Sequence, residues 1–197
     1  MKRVCRILVI VLSTASLTAK QKPPRAYTIS LPPRPDFSHI DWLVGDWKGK
    51  TMGRGPEGQV QLSVAYTLDK RFMLLRETVF LAATKTSPAL HEEWMGILSS
   101  GRSGASFELR VYSSSGFITL YNVTATEGEI HFNPAGGDRP APGWLFRWTI
   151  NRAAPGVCSE TVEAAPPQSP FFNYYSADLS RVPLSSPSAS PAPSTQP

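Results

Sequence analysis

The stretch Phe37-Ser-His-Ile-Asp-Trp-Leu-Val-Gly-Asp-Trp-Lys-Gly-Lys50 decides how this chain is read. Within it, His39–Gly45 carries apolar residues at Ile40, Leu43 and Val44, a spacing that predicts one or two helical turns lying across the end of a barrel. Gly45 stops those turns and Trp47 opens a first strand. From there to Val182 the chain alternates between apolar and polar residues in segments bounded by Gly, Pro, Ser and Asn. About ten candidate strands can be counted, with no long helical period competing.

The clearest is Gln59–Leu68, which sets Val60, Leu62, Val64, Tyr66 and Leu68 on one face and Gln59, Gln61, Ser63 and Thr67 on the other, the pattern of a half-buried antiparallel strand. Arg71–Leu81 follows a short Asp69-Lys70 link and is apolar on both faces apart from Arg76 and Glu77, which predicts cover on both sides. Leu90–Leu98, Ala105–Tyr112, Phe117–Thr126 and Glu129–Phe132 come next, with Gly-containing turns between the later ones. A loop, Asn133–Gly143, leads to Trp144–Ile150, where Trp144, Phe146, Trp148 and Ile150 share a face. Val157–Val162 and Phe171–Leu179 complete the series. Most links are hairpin-sized, so sequence neighbours should be sheet neighbours. Strands of this kind leave exposed edges unless the sheet closes, which favours an all-β, up-and-down antiparallel barrel over a β-sandwich.

The segment Leu43-Val-Gly-Asp-Trp-Lys-Gly49, the strand ending Tyr66-Thr-Leu-Asp69 and the following Arg71-Phe-Met-Leu-Leu-Arg76 resemble the uncharacterised bacterial lipocalin-like domains of the calycin kind. That resemblance implies a roughly ten-stranded barrel with a short N-terminal helix capping one end, and no established function. The opening Leu-x-Gly-x-Trp-x-Gly and the segment Leu90-His91-Glu92-Glu93-Trp94 are also distantly similar to the nitrobindin haem barrels. Those bind haem iron through a His in the C-terminal strands. This chain has His39, His91 and His131 and none later, so no haem, and no other cofactor, is expected.

The ends of the chain speak to compartment. Lys2, Arg3 and Arg6 precede the apolar run Ile7–Leu12, which fades into Ser13–Ala19. This reads as a secretory signal peptide over residues 1–19, because the run is shorter than the ~20 residues that span a bilayer. An exported protein, periplasmic or extracellular, with no stable membrane span is expected. Cleavage takes Cys5 away and leaves Cys158 without an intramolecular partner, a small buried hydrophobe by default. Residues 20–36 read as a Pro-rich linker, 37–182 as one barrel domain, and 183–197, rich in Pro and Ser, as a disordered tail. Three of the 20 Lys and Arg lie in the leader, so the formal charge falls from +5 to +2 against 15 Asp and Glu. The remaining basic residues are scattered, and no nucleic-acid partner is expected.

No catalytic constellation is legible. Alternation sends Glu92 and Trp94 to one face and His91 and Glu93 to the other, and there is no HExxH or paired CxxC for a metal. The serines cluster in turns, without a Gly-x-Ser-x-Gly elbow. The Gly-rich Gly53–Gly58 lacks the ending that cradles phosphate. The best site is therefore the barrel interior, which in a barrel of this size either is filled by side chains or holds a small ligand. Trp47, Trp94, Trp144 and Trp148 line it or plug it, with Arg76 or Glu92 as polar anchors. Trp47, Arg76, Glu92 and Trp94 are the ligand-binding candidates. A non-enzymatic barrel for a small hydrophobic or amphipathic molecule heads the functional readings. Its rivals are a barrel enzyme acting on a lipid-like substrate through a buried Arg76–Glu92 pair, and a protein-binding envelope module with a filled core.

Overall fold

The computed structural model describes residues 31–52, 56–85, 87–101, 106–137 and 143–183. The expected leader, most of the expected linker and almost all of the expected tail lie outside the described residues.

Ten antiparallel strands form one closed barrel: β1 (Gly45–Met52), β2 (Gly58–Thr67), β3 (Phe72–Leu81), β4 (Leu90–Ser100), β5 (Phe107–Ser113), β6 (Ile118–Thr126), β7 (Glu129–Gly137), β8 (Leu145–Ala154), β9 (Val157–Ala165) and β10 (Phe172–Arg181). Each strand pairs with the next, and β1 closes the ring against β10, the up-and-down order that hairpin-sized links dictate. Closure removes the free edges that ten short strands would otherwise expose. Alternation supplies the core: Val60, Leu62 and Val64 of β2, Met73, Leu75 and Val79 of β3 and Ala177 and Leu179 of β10 are all buried.

Three expectations need correction. No N-terminal helix forms; Asp41–Leu43 is a single 3-10 turn. Leu43 N–H and Val44 N–H each bond three residues back, to Ile40 and Asp41, and Gly45 already belongs to β1, so the chain has no room for an α-helical turn before the sheet claims it. The strand at Phe72–Leu81 is covered on one face only. Met73, Leu75, Glu77, Val79 and Leu81 are buried while Arg76 and Phe80 are exposed, because in a single-layered barrel nothing packs on the outer face. The loop expected from Asn133 is strand as far as Gly137. A bulge between Leu120 and Tyr121 absorbs the extra residue, so that Tyr121 faces Pro134 and Leu120 faces Gly136.

Around the 3-10 turn, Phe37, Ile40 and Leu43 are buried in the barrel core. Phe37 stacks on Phe107 at 5.3 Å and tilts against Tyr66 at 5.9 Å, and the Tyr66 hydroxyl bonds Asp41. Trp47 is buried, donates its indole N–H to Leu43 O at 2.7 Å and carries the Arg181 guanidinium on its ring at 4.5 Å. That guanidinium also bonds the carbonyls of Trp42 and Val44, tying the last strand to the turn.

Candidate functional site

At the end of the barrel away from this turn lies a cavity of about 150 Å³, room for a molecule the size of one aromatic ring. The end halves of seven strands build it. Val79, Leu90, Val111 and Val162 supply aliphatic wall, and Trp94, Tyr121, Phe146, Trp148, Tyr174 and Tyr175 supply aromatic wall. Trp148 sits at the centre of the aromatic group, 4.4 Å from Phe132, 4.5 Å from Tyr121 and 5.7 Å from Trp94, centroid to centroid. Leu90, Glu92, Phe146 and Tyr174 are only half-buried and form the rim. Consecutive residues Tyr174 and Tyr175 both reach the cavity because the pairing of β10 with β9 slips between Asn173 and Tyr175; a bulge re-aims one side chain that regular alternation would send outside.

The polar part of the wall is three carboxyls, from Glu77, Glu92 and Glu160, with Ser113 and Thr119. Glu77 from β3 and Glu160 from β9 are 3 % and 1 % exposed and meet across the barrel interior, carboxyl to carboxyl, in a hydrogen bond. Glu77 Oε1 also accepts from Tyr175 Oη at 3.1 Å and Trp94 Nε1 at 3.2 Å. Burial pushes the Glu77 carboxyl up to about 7, with the bonds from Glu160, Tyr175 and Trp94 restraining the rise. Glu160 goes well above the carboxylate range, through burial first and then the neighbouring Glu77 charge. The pair thus shares a proton that Glu160 holds and donates to Glu77. Burial also raises Glu92. The phenols of Tyr121, Tyr174 and Tyr175 are likewise raised, by burial first and then by the nearby carboxyls. Among the described residues that line the cavity, three buried polar atoms have no hydrogen-bond partner: Glu77 Oε2, Glu160 Oε2 and Trp148 Nε1.

Of the residues expected at a site, Glu92, Trp94 and Trp148 line this cavity, whereas Trp144 does not; Phe146, on the same strand as Trp148, lines it as well. Trp47 belongs to the end with the 3-10 turn instead. The expected buried Arg76–Glu92 pair does not form, because Arg76 is exposed on the outer face of β3; its neighbour Glu77 takes the inward position, and its partner is Glu160. Neither Glu77 nor Glu160 was singled out in the sequence, although each stands in phase with buried neighbours, Glu77 with Leu75 and Val79 and Glu160 with Cys158 and Val162. None of the three histidines lines the cavity: His39 and His91 are exposed, and His131 bonds Thr149 and pairs with Glu129. Among the described residues no three His, Cys, Asp or Glu side chains converge as a metal site.

Cys158 is fully buried beside the acid pair, and burial, reinforced by Glu160, pushes its thiol up to about 12. Thiolate is the reactive form, so Cys158 in the native protein should resist a thiol reagent such as DTNB over hours. The same thiol should react promptly once denaturant unfolds the barrel.

No family model matches the chain, and no curated protein does. Among solved structures, the crystal structure of Rv2717c from M. tuberculosis is similar over 74% of this chain and 96% of that one, with a TM-score of 0.56 at 17% identity. At that identity the likeness concerns the fold, and it agrees with a lipocalin-like barrel at the level of architecture.

Proposed function

We propose that this chain is an exported, non-enzymatic bacterial barrel of the lipocalin-like kind that binds one small amphipathic molecule in the cavity beside Glu77 and Glu160. The observation that carries the reading is the set of three orphaned polar atoms, Glu77 Oε2, Glu160 Oε2 and Trp148 Nε1, on residues of a mainly aliphatic and aromatic wall whose other polar members are Glu92, Ser113 and Thr119. An unpaired buried polar group costs about 1–3 kcal/mol, and a ligand with polar and apolar parts repays that cost while covering the aromatic faces.

The shared proton of the acid pair favours a second reading, an enzyme using Glu77 as general base, since a carboxyl near 7 suits proton transfer at neutral pH. Native mass spectrometry of protein recovered from the cell envelope tests both. A reproducible adduct released chemically unchanged supports binding, an adduct converted on incubation supports the enzyme, and a bare mass with no uptake of cavity-filling dyes overturns both. Trp94→Ala should lower adduct occupancy at least ~10-fold, since it removes both an aromatic wall and the N–H held by Glu77. Arg76→Ala, on the outer face, should leave occupancy unchanged and stability within about 0.5 kcal/mol.

A further inference from the structure

We infer that the cavity ligand is a small protonated amine on a ring-sized apolar body, its ammonium held by the free carboxyl oxygens of Glu77 and Glu160 and its body by Trp94, Tyr121 and Trp148. This deepens the binding reading and rests on it.

Charge balance carries the inference. Glu77, Glu160 and Glu92 come from β3, β9 and β4, and among the described residues no Lys, Arg or His lines the cavity with them. The groups facing the pair are Tyr175 from β10, Trp94 and Glu92 from β4, and each other; none is a cation. Once Glu77 is ionised, a negative charge lies in a low-dielectric interior with no counter-charge on the wall among the described residues, which is costly unless something pairs with it. The unpartnered oxygens, Glu77 Oε2 and Glu160 Oε2, are acceptors, and an ammonium offers three donors to acceptors of this kind. The aromatic faces add attraction for a cation and none for an anion. A metal ion fits less well, since among the described residues no three ligating side chains converge. A carboxylate ligand would bring a further acid beside three.

The test uses three probes of one shape, benzylamine, benzyl alcohol and benzoate, titrated into the exported chain at pH 7.5 by calorimetry and tryptophan fluorescence. Benzylamine should bind at least ~10-fold more tightly than benzyl alcohol, and benzoate should not bind. Glu77→Gln should weaken benzylamine ~10-fold or more and leave benzyl alcohol within about twofold; circular dichroism and the alcohol titration report that the variant is folded. Glu92→Gln, at the rim, should weaken benzylamine less than Glu77→Gln does. Equal binding of amine and alcohol, or a preference for benzoate, overturns the amine assignment while leaving a binding cavity. Failure of all three probes to bind overturns the assignment together with the reading beneath it.

Discussion

Glu160→Gln should make the ligand-free protein more stable at pH 8 and should flatten the dependence of its stability on pH. In the native barrel Glu160 is 1 % exposed, one of its oxygens has no partner, and Glu77 leans on it. Both carboxyls titrate higher folded than unfolded. Between the ordinary value of 4.5 and the folded value the native state therefore binds more protons than the unfolded chain, and stability falls as pH rises. For Glu77 the fall runs from pH 4.5 to about 7 and amounts to about 3 kcal/mol; for Glu160 it continues to higher pH, and Glu92 acts in the same direction. Asp36, lowered mainly by its bonds to Ser38, lies fully exposed and acts oppositely only in acid. The wild-type protein should thus be most stable near pH 5, with a melting temperature that drops steadily to pH 9. Glutamine keeps the shape and hydrogen-bonding capacity of Glu160 without an ionisable proton, so the melt at pH 8 should move to higher temperature. Thermal melts of both proteins from pH 5 to 9 check this. A wild-type stability that climbs with pH would mean that the pair is solvated.

Gly49→Ala should have the opposite effect. Gly49 lies in the strand pair that closes the barrel, opposite Leu179. A Cβ there would stand 1.7 Å from the carbonyl oxygen of Asp178, 2.7 Å from its carbonyl carbon and 3.0 Å from Leu179 Cδ2. The first two are backbone atoms of β10 and cannot swing aside, so β1 and β10 must part and the ladder from Lys48 to Thr51 must stretch. A loss of about 4 kcal/mol is expected, at the severe end for one substitution, read as a lower urea midpoint. Gly116→Ala is the control. Its φ of +87 disfavours alanine, but the added Cβ meets nothing within 4 Å, and about 1 kcal/mol should be lost. A mild Gly49→Ala would show that the seam gives way easily.

That second prediction explains why Leu43–Gly49 was the most telling part of the sequence. Gly45 holds φ +137 where the turn enters β1, Trp47 fills the closed end beneath Arg181, and Gly49 lets β10 approach. Each residue type in the motif answers one local demand of closing the barrel. Legibility stops at β3. Its two faces are both largely apolar, so the strand alone does not say whether Arg76 or Glu77 points inward. The neighbour decides: Glu77 pairs with Leu62 and Leu75 with Val64, cross-strand partners share a face, and the phase of β2 is unambiguous. A one-residue difference in register exchanges the two faces, and here it separated the expected Arg76–Glu92 pair from the acid pair that forms.

The sequence by itself determined the all-β class, the number and order of strands and the up-and-down closure, because alternation, turns and hairpin links act between residues close in the chain. It also put Glu92 and Trp94 on one face. Only the tertiary structure decided the site. Closing the ring brings β3 and β9 to face each other across the interior, so that Glu77 meets Glu160, and the bulge in β10 turns both Tyr174 and Tyr175 to the cavity. Burial then raises the two carboxyls, and it follows from the closed wall around them rather than from any residue beside them in the chain.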